Sequence, residues 1–137
     1  MGRRRRFSAF VTKDSNCSPT VGHSLQFARE FLKNETFDPR LQVKLVILVE
    51  ELVTNALRHG GAQQDLALLL SLEKKGDGIR LAIEDNGPAF DPFSVPPATG
   101  PDPKTGGGIG LAIVQAWGED AAYERKKQGN SLTLILR

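Results

Sequence analysis

The sequence predicts an α+β fold: a two-layer α/β sandwich whose mixed, mostly antiparallel sheet carries its helices on one face. Two observations predict it. Apolar residues follow a helical period over residues 19–59 and then alternate with polar ones over residues 66–83. Short turns join consecutive predicted strands, and such hairpins favour antiparallel pairing. With 137 residues, 39% of them hydrophobic and 25% charged, we expect a single domain over residues 1–137.

The chain opens with a predicted strand and a predicted helix. Residues 5–12 are rich in apolar and β-favouring side chains, and the positive charges at their start predict a sheet edge. Turn-forming residues follow over 14–19. A helix is then expected from about Pro19 to Asn34, because its apolar residues lie mostly along one side.

The second predicted helix has strong signals at both ends. Asp38 is a suitable N-cap and Pro39 suits the first helical position. The helix is expected to continue to about His59 and to stop at Gly60 and Gly61.

The remaining elements are mostly strands. Leucines at alternate positions over 66–72 predict one strand, residues 75–78 form a hairpin turn, and alternating apolar residues over 79–83 predict the next strand. Residues 86–108 hold six prolines and five glycines without periodicity, a length that is uncommon for a connection unless it is functional or disordered. The last expected elements are a helix over 109–117 and strands over 121–127 and 131–136, joined by a turn at 128–130.

Composition and charge exclude several functional classes. The net charge is only +2, which argues against nucleic acid as the main partner, although the basic end at residues 1–6 leaves a nucleic-acid arm as an alternative to a solvated terminus. A single cysteine, Cys17, can form neither an internal disulfide nor a thiolate metal site. No apolar run reaches the roughly 18 residues of a membrane helix. We expect no membrane contact and a cytoplasmic location.

One candidate site lies on the second predicted helix. Glu51, Asn55 and Arg58 follow the spacing i, i+4, i+7 and so lie together at the edge of the apolar stripe. A carboxylate can accept a proton, an amide oxygen can coordinate Mg²⁺, and a guanidinium can bind phosphate. A solvated helix face explains the same spacing, so the pattern alone leaves both interpretations open.

A second candidate site follows the strand over 79–83. Asp85 shares the parity of the apolar residues of that strand, so a regular strand directs its carboxylate to the apolar side. Such a group needs a donor, and the exocyclic amine of adenine between apolar walls is a suitable one. Gly87 then permits close approach of the backbone. The alternative is that the strand ends early and Asp85 begins a turn.

A third candidate site is the glycine-rich run before the predicted helix over 109–117. Gly106, Gly108 and Gly110 leave backbone N–H groups exposed near a helix N-terminus, where phosphate binds well. The run has neither the Gly-Lys-Ser/Thr of a P-loop nor the spacing of a dinucleotide-binding turn. A flexible linker is the alternative.

The order of these three motifs resembles the Bergerat ATP-binding fold, shared by DNA gyrase, the large heat-shock chaperones, histidine kinases and mismatch-repair ATPases. The resemblance covers about Phe7 to Leu136. Within this superfamily the chain is most similar to the bacterial anti-sigma-factor serine/threonine kinases, in residues 51–56, 85–92, 123–125 and 130–134. Ala89 departs from the wider superfamily, where a second glycine is common.

The resemblance implies a role for each candidate residue. Glu51 would be the catalytic base, Asn55 would bind Mg²⁺, Asp85 would bind adenine, and Gly87 would allow its close approach. The remaining implied contacts are with the ATP phosphates, from a lid loop over 87–108 and from Gly106, Gly108, Gly110 and Arg58.

The resemblance also implies partners. The expected activity is ATP-dependent phosphorylation of a serine on an antagonist of the anti-sigma factor, with a sigma factor as a further partner and a homodimer as a compatible assembly. An alternative is an ATP-gated anti-sigma binding module, or an ATPase, without significant kinase activity. A third class, nucleic-acid binding, would use residues 3–6 and the basic cluster over 125–127.

Overall fold

The computed structural model describes residues 3–89 and 116–137. These residues form five strands and two helices, in the order β1 (Arg5–Val11), α1 (Ser18–Lys33), α2 (Pro39–Gly61), β2 (Leu66–Lys75), β3 (Gly78–Asp85), β4 (Gly118–Lys126) and β5 (Gly129–Leu136).

The five strands form one sheet in the order β1-β2-β3-β5-β4. All four pairings among the described strands are antiparallel. The predicted α+β class and the edge position of the first strand are therefore confirmed, whereas the expected mixed character of the sheet is not found in these pairings. Because β5 lies between β3 and β4, it places residues of both hairpins beside each other.

Both helices cover one face of the sheet. Helix α1 packs on α2 and β1, and α2 crosses β2, β3 and β5. The core between the layers is mostly aliphatic, since alternate residues of each strand face the helices and are buried there. The buried leucines and isoleucines of the three central strands are Leu66, Leu68, Leu70, Leu72, Ile79, Leu81, Ile83, Leu132, Leu134 and Leu136.

The end of α2 differs from the sequence prediction. The helix does not stop at the two glycines but includes both, and Ala62 is its C-cap. A Cβ atom at Gly60 would lie 2.5 Å from Cδ1 of Leu66, the first residue of β2. Glycine at position 60 thus leaves room for the Leu66 side chain, and it does not end the helix.

The last hairpin also differs from the prediction. Its turn lies at residues 127 and 128, so Gly129 and Asn130 belong to β5. Strand β4 begins at Gly118, three residues before the predicted start. Of the helix expected over 109–117, only residues 116 and 117 are described, and both are helical. The rest of it, and the lid loop beyond residue 89, lie outside the described residues.

The N-terminal basic run is part of the sheet edge. Arg5 and Arg6 belong to β1, and residues 3–6 are all exposed. Charged side chains on an edge strand discourage pairing with a further strand. No helix among the described residues is both long and apolar enough to cross a membrane.

Candidate functional site

An open pocket lies between α2 and the ends of β3, β4 and β5. Its apolar walls come from one helix and the sheet, and its polar groups are two amides, a phenol and a carboxylate. The lining residues are Leu52, Asn55, Ala56, Ile83, Asp85, Tyr123, Asn130 and Leu132. Apolar walls with a few convergent polar groups are typical of a small-molecule site.

Asp85 stands at the end of β3 and lines this pocket together with Ile83, as the parity of the strand predicted. Its Oδ1 atom accepts hydrogen bonds from the Gly87 backbone N–H at 2.8 Å and from Asn130 Nδ2 at 2.9 Å. No residue of the described part of the chain donates to Oδ2. One oxygen of the carboxylate is thus held by the protein, and the other is left for a donor in the pocket.

Gly87 closes the turn after Asp85 in a buried position. A Cβ atom there would lie 3.0 Å from Asp85 Oδ1 and 3.3 Å from the Cα atom of Gly60 on α2. Two glycines therefore face each other where the end of β3 approaches the end of the helix. This contact sets how closely Asp85 approaches α2.

Asn55 lines the opposite wall of the pocket from α2. Its side chain is only 7% exposed, and within residues 3–89 and 116–137 its amide makes no hydrogen bond to another residue. No fully buried side-chain nitrogen or oxygen of the described residues lacks a hydrogen-bond partner, so the amide of Asn55 keeps its small exposed part toward the open pocket. A ligand in the pocket is therefore a partner that this amide can reach.

Glu51 lies one helical turn before Asn55 and is half-buried, but it is not among the residues that line the pocket. Burial raises the pKa of Glu51 above its ordinary value of 4.5, and the nearby Glu50 raises it further. The exposed Arg58 acts in the opposite direction and lowers the pKa of Glu51. The raised pKa makes the carboxylate a stronger proton acceptor.

Two polar residues of the pocket lining, Asn130 and Tyr123, were given no role in the sequence analysis, and Arg125 lies beside them. Asn130 is 7% exposed and lies opposite Asp85 on one side and Arg125 on the other. Its side chain accepts a hydrogen bond from the Tyr123 hydroxyl, and Arg125 Nη1 donates to the Gly87 carbonyl oxygen at 2.6 Å. The parity of Leu132 could have revealed Asn130, but the residue was assigned to a turn.

The basic cluster over 125–127 does not present one continuous surface. Arg125 bonds to Gly87 near the pocket, whereas the neighbouring Lys126 forms an ion pair with Glu84 at 2.8 Å. Successive residues of a strand point to opposite faces, which separates the two side chains. This arrangement weakens the nucleic-acid alternative, because two of the three cations have partners within the protein.

The predicted site residues therefore divide into three groups. Asn55 and Asp85 line one pocket, with Gly87 directly behind Asp85. Glu51 and Arg58 lie close enough to influence each other but outside the pocket lining. The glycines at 106, 108 and 110 lie outside the described residues, and their role stays a prediction.

Comparison with known proteins identifies the family. The profile of the histidine kinase-like ATPase domain matches residues 17–136, nearly the whole chain. The chain belongs to this family. The pocket described above thus lies in a domain of the histidine kinase-like ATPase class, as the resemblance predicted.

Two further similarities refine the comparison. The chain is 28% identical over 119 residues to the serine/threonine-protein kinase BtrW of Bordetella bronchiseptica, covering 84% of each chain. It also resembles the solved structure of the RsbU and RsbW domains of Rv1364c from Mycobacterium tuberculosis, with a TM-score of 0.58 and 20% identity. That match covers 96% of this chain and 32% of the other, and it supports the fold alone.

Proposed function

We propose that this histidine kinase-like ATPase domain binds ATP and phosphorylates a serine of a partner regulatory protein, as an anti-sigma-factor kinase does. The observation that carries the proposal is that the carboxylate of Asp85 and the amide of Asn55 line the same apolar pocket from opposite sides. The similarity to BtrW, a serine/threonine-protein kinase, supports the same activity.

The adenine ring is the part of ATP that suits the pocket. Leu52, Ala56, Ile83 and Leu132 provide apolar surfaces for its faces. The exocyclic amine is a donor that Asp85 Oδ2 can accept, since Oδ1 already bonds to two donors of the protein.

Asn55 is the residue that suits Mg²⁺. No group of three or more His, Cys, Asp or Glu in the described ranges could hold a metal by itself. Mg²⁺ needs no such cage in nucleotide sites, because it keeps several waters and takes phosphate oxygens as ligands. The amide oxygen of Asn55 fits this chemistry. When bound, the ion would neutralise negative charge on the phosphates.

Glu51 is proposed as the general base. Its carboxylate accepts the proton of the serine hydroxyl, the serine oxygen forms a bond to the γ-phosphorus, and the bond from that phosphorus to the bridging oxygen of ADP breaks. The products are phosphoserine and ADP. Arg58, together with the glycines at 106, 108 and 110, is proposed to contact the phosphates.

The partners follow from the same proposal. The substrate is an antagonist of the anti-sigma factor, and a sigma factor is a second partner. Transfer to the antagonist requires its serine to reach the base beside the pocket.

Nucleotide binding is tested by isothermal calorimetry with ATP and Mg²⁺. Replacing Asp85 by asparagine removes a charge-assisted hydrogen bond of about 1.5–3 kcal/mol, so the Kd for ATP should rise roughly 10- to 150-fold. Glu84→Gln is the matched control, because Glu84 is the adjacent carboxylate on β3 but pairs with Lys126 on the other face. If Asp85→Asn bound ATP like the wild type, the proposed adenine site would be wrong.

Phosphoryl transfer is tested separately, with γ-labelled ATP and the proteins that co-purify with the chain. Glu51→Gln should keep the Kd for ATP while transfer falls about 10²- to 10⁴-fold, the usual contribution of a general base. Asn55→Ala should lose Mg²⁺-dependent binding. Tight ATP binding by the wild type without any labelled protein would instead support the ATP-gated binding module.

A further inference from the structure

Asn130 is bound at both ends of its amide. Its Nδ2 atom donates to Asp85 Oδ1 at 2.9 Å and to the Pro88 carbonyl oxygen at 2.8 Å. Its Oδ1 atom accepts from the Tyr123 hydroxyl and, at 3.4 Å, from Arg125 Nη1. Since a guanidinium can only donate, the amide oxygen has to face Arg125 and the NH₂ group has to face Asp85. The orientation of the amide is therefore fixed.

The position of Asn130 in the sheet makes this contact direct. Asn130 is paired with Asp85 on β3 and with Arg125 on β4, so the three side chains lie in one row across three strands. The next inward residues of β5 are buried leucines. Burying a polar residue at such a position costs free energy unless each of its polar groups is hydrogen-bonded. Both groups of the Asn130 amide are hydrogen-bonded here.

We propose that Asn130, held by Tyr123 and Arg125, is a positioning residue that makes the pocket select a 6-aminopurine over guanine. The inference rests on the proposed function, in which the base lies against Asp85. A carboxylate with two free oxygens pairs well with guanine, because the N1–H and the 2-amino group of guanine form two parallel donors. Asn130 and the Gly87 N–H both occupy Oδ1 of Asp85.

The occupied oxygen has a direct consequence for base recognition. With Oδ1 taken, Asp85 offers one acceptor, Oδ2, which suits the single exocyclic amine of adenine. Loss of the Asn130 amide removes one of the two donors to Oδ1, so that only the Gly87 N–H still holds this oxygen and the carboxylate rotates more easily. Guanine thus loses the second acceptor oxygen that its two donors need, while adenine keeps the one acceptor that its amine needs. Specificity depends on both effects.

The test compares the binding of ATP, GTP and purine riboside triphosphate, which lacks the 6-amino group, by calorimetry with Mg²⁺. The wild type should bind ATP more tightly than either analogue. In Asn130→Ala both preferences should shrink by about tenfold, the equivalent of one hydrogen bond to a charged group. Tyr123→Phe removes one support of the amide and should reduce both preferences less, and this variant keeps the test valid if Asn130→Ala does not fold. Ser131→Ala, on the opposite face of β5, should leave them unchanged.

The outcomes separate the two proposals. If Asn130→Ala and Tyr123→Phe weakened ATP, GTP and the purine analogue by the same factor, Asn130 would be structural only and the positioning role would be refuted. A wild type that binds ATP and GTP equally would also overturn it, while leaving nucleotide binding intact. A wild type that binds none of the three nucleotides would refute the proposed function itself.

Discussion

Replacement of Gly129 by alanine should destabilise the protein and damage the pocket together. A Cβ atom at Gly129 would lie 2.0 Å from the carbonyl oxygen of Asp85 and 3.0 Å from Cα of Asn86. These are backbone atoms, which cannot rotate away as a flexible side chain would. Ordinary contact begins near 3.4 Å, so the first residue of β5 and the end of β3 would have to separate by about 1.4 Å.

The cost can be bounded from similar overpacked sites. Overpacking typically costs 1–3 kcal/mol, and rigid neighbours place this site near the upper end, about 3 kcal/mol. The lower chain entropy of unfolded alanine returns roughly 0.4–1 kcal/mol, which leaves a net loss of about 2–3 kcal/mol. With unfolding entropy near 2.1 cal/mol/K per residue, a 137-residue chain loses about 3–4 °C per kcal/mol. We expect Tm to fall by roughly 7–10 °C.

The assay is thermal and urea unfolding followed by circular dichroism, with Gly22→Ala as the matched control. Gly22 is exposed in α1, and its Cβ would meet nothing within 4 Å. That variant should gain about 0.5–1 kcal/mol from helix propensity. The displaced atoms belong to Asp85 and Asn86, so Gly129→Ala should also bind ATP more weakly. A melting temperature within about 2 °C of the wild type, beside a stabilised Gly22→Ala, would refute the steric argument.

Three further predictions follow from burial. The transfer rate should fall as pH drops through the raised pKa of Glu51, and Glu50→Gln, which removes a charge that raises this pKa, should shift the acid limb of the pH–rate profile to lower pH. Because the folded state raises this pKa, Glu51 favours folding at acid pH and this contribution is lost as pH rises through the folded value. Glu51→Gln should therefore be more stable than the wild type at neutral pH, and urea titrations at acid pH should show no such advantage. Leu70→Ala, at a fully buried position, should lower the free energy of unfolding by about 2–5 kcal/mol in the same titrations. Phe10→Ala is the control, since Phe10 is 66% exposed, and it should change this free energy by less than about 0.5 kcal/mol.

Local signals were sufficient to predict much of the fold. The alternating leucines of β2 and the turn at Gly76 and Asp77 specify one hairpin within about twenty residues, and the structure has it where expected. Strand parity likewise placed Asp85 on the apolar side. These signals are sufficient because the hydrophobic period of a strand or helix is visible within a few consecutive residues.

The residues that the sequence analysis missed have their roles through contacts between segments that are distant in the chain. Asn130 was assigned to a turn because glutamine, glycine and asparagine stand together, but Gly129 is required by its contact with the Asp85 backbone. Arg125 and Lys126 looked like one basic patch, and the strand order of the sheet determines that their partners are Gly87 and Glu84. The residue pattern within a hairpin does not predict which other strand pairs with it in the sheet.

The contact between β3 and β5 also has a consequence for how the protein acquires its structure. The turns at 76–77 and 127–128 close short hairpins, whereas the pairing of Asp85 with Asn130 joins segments 45 residues apart. Contacts between distant segments carry a larger loop-closure cost and tend to form later during folding. The pocket therefore forms only when the two hairpins dock. A nucleotide that binds there would stabilise the docked arrangement of β3 and β5, which forms late in folding.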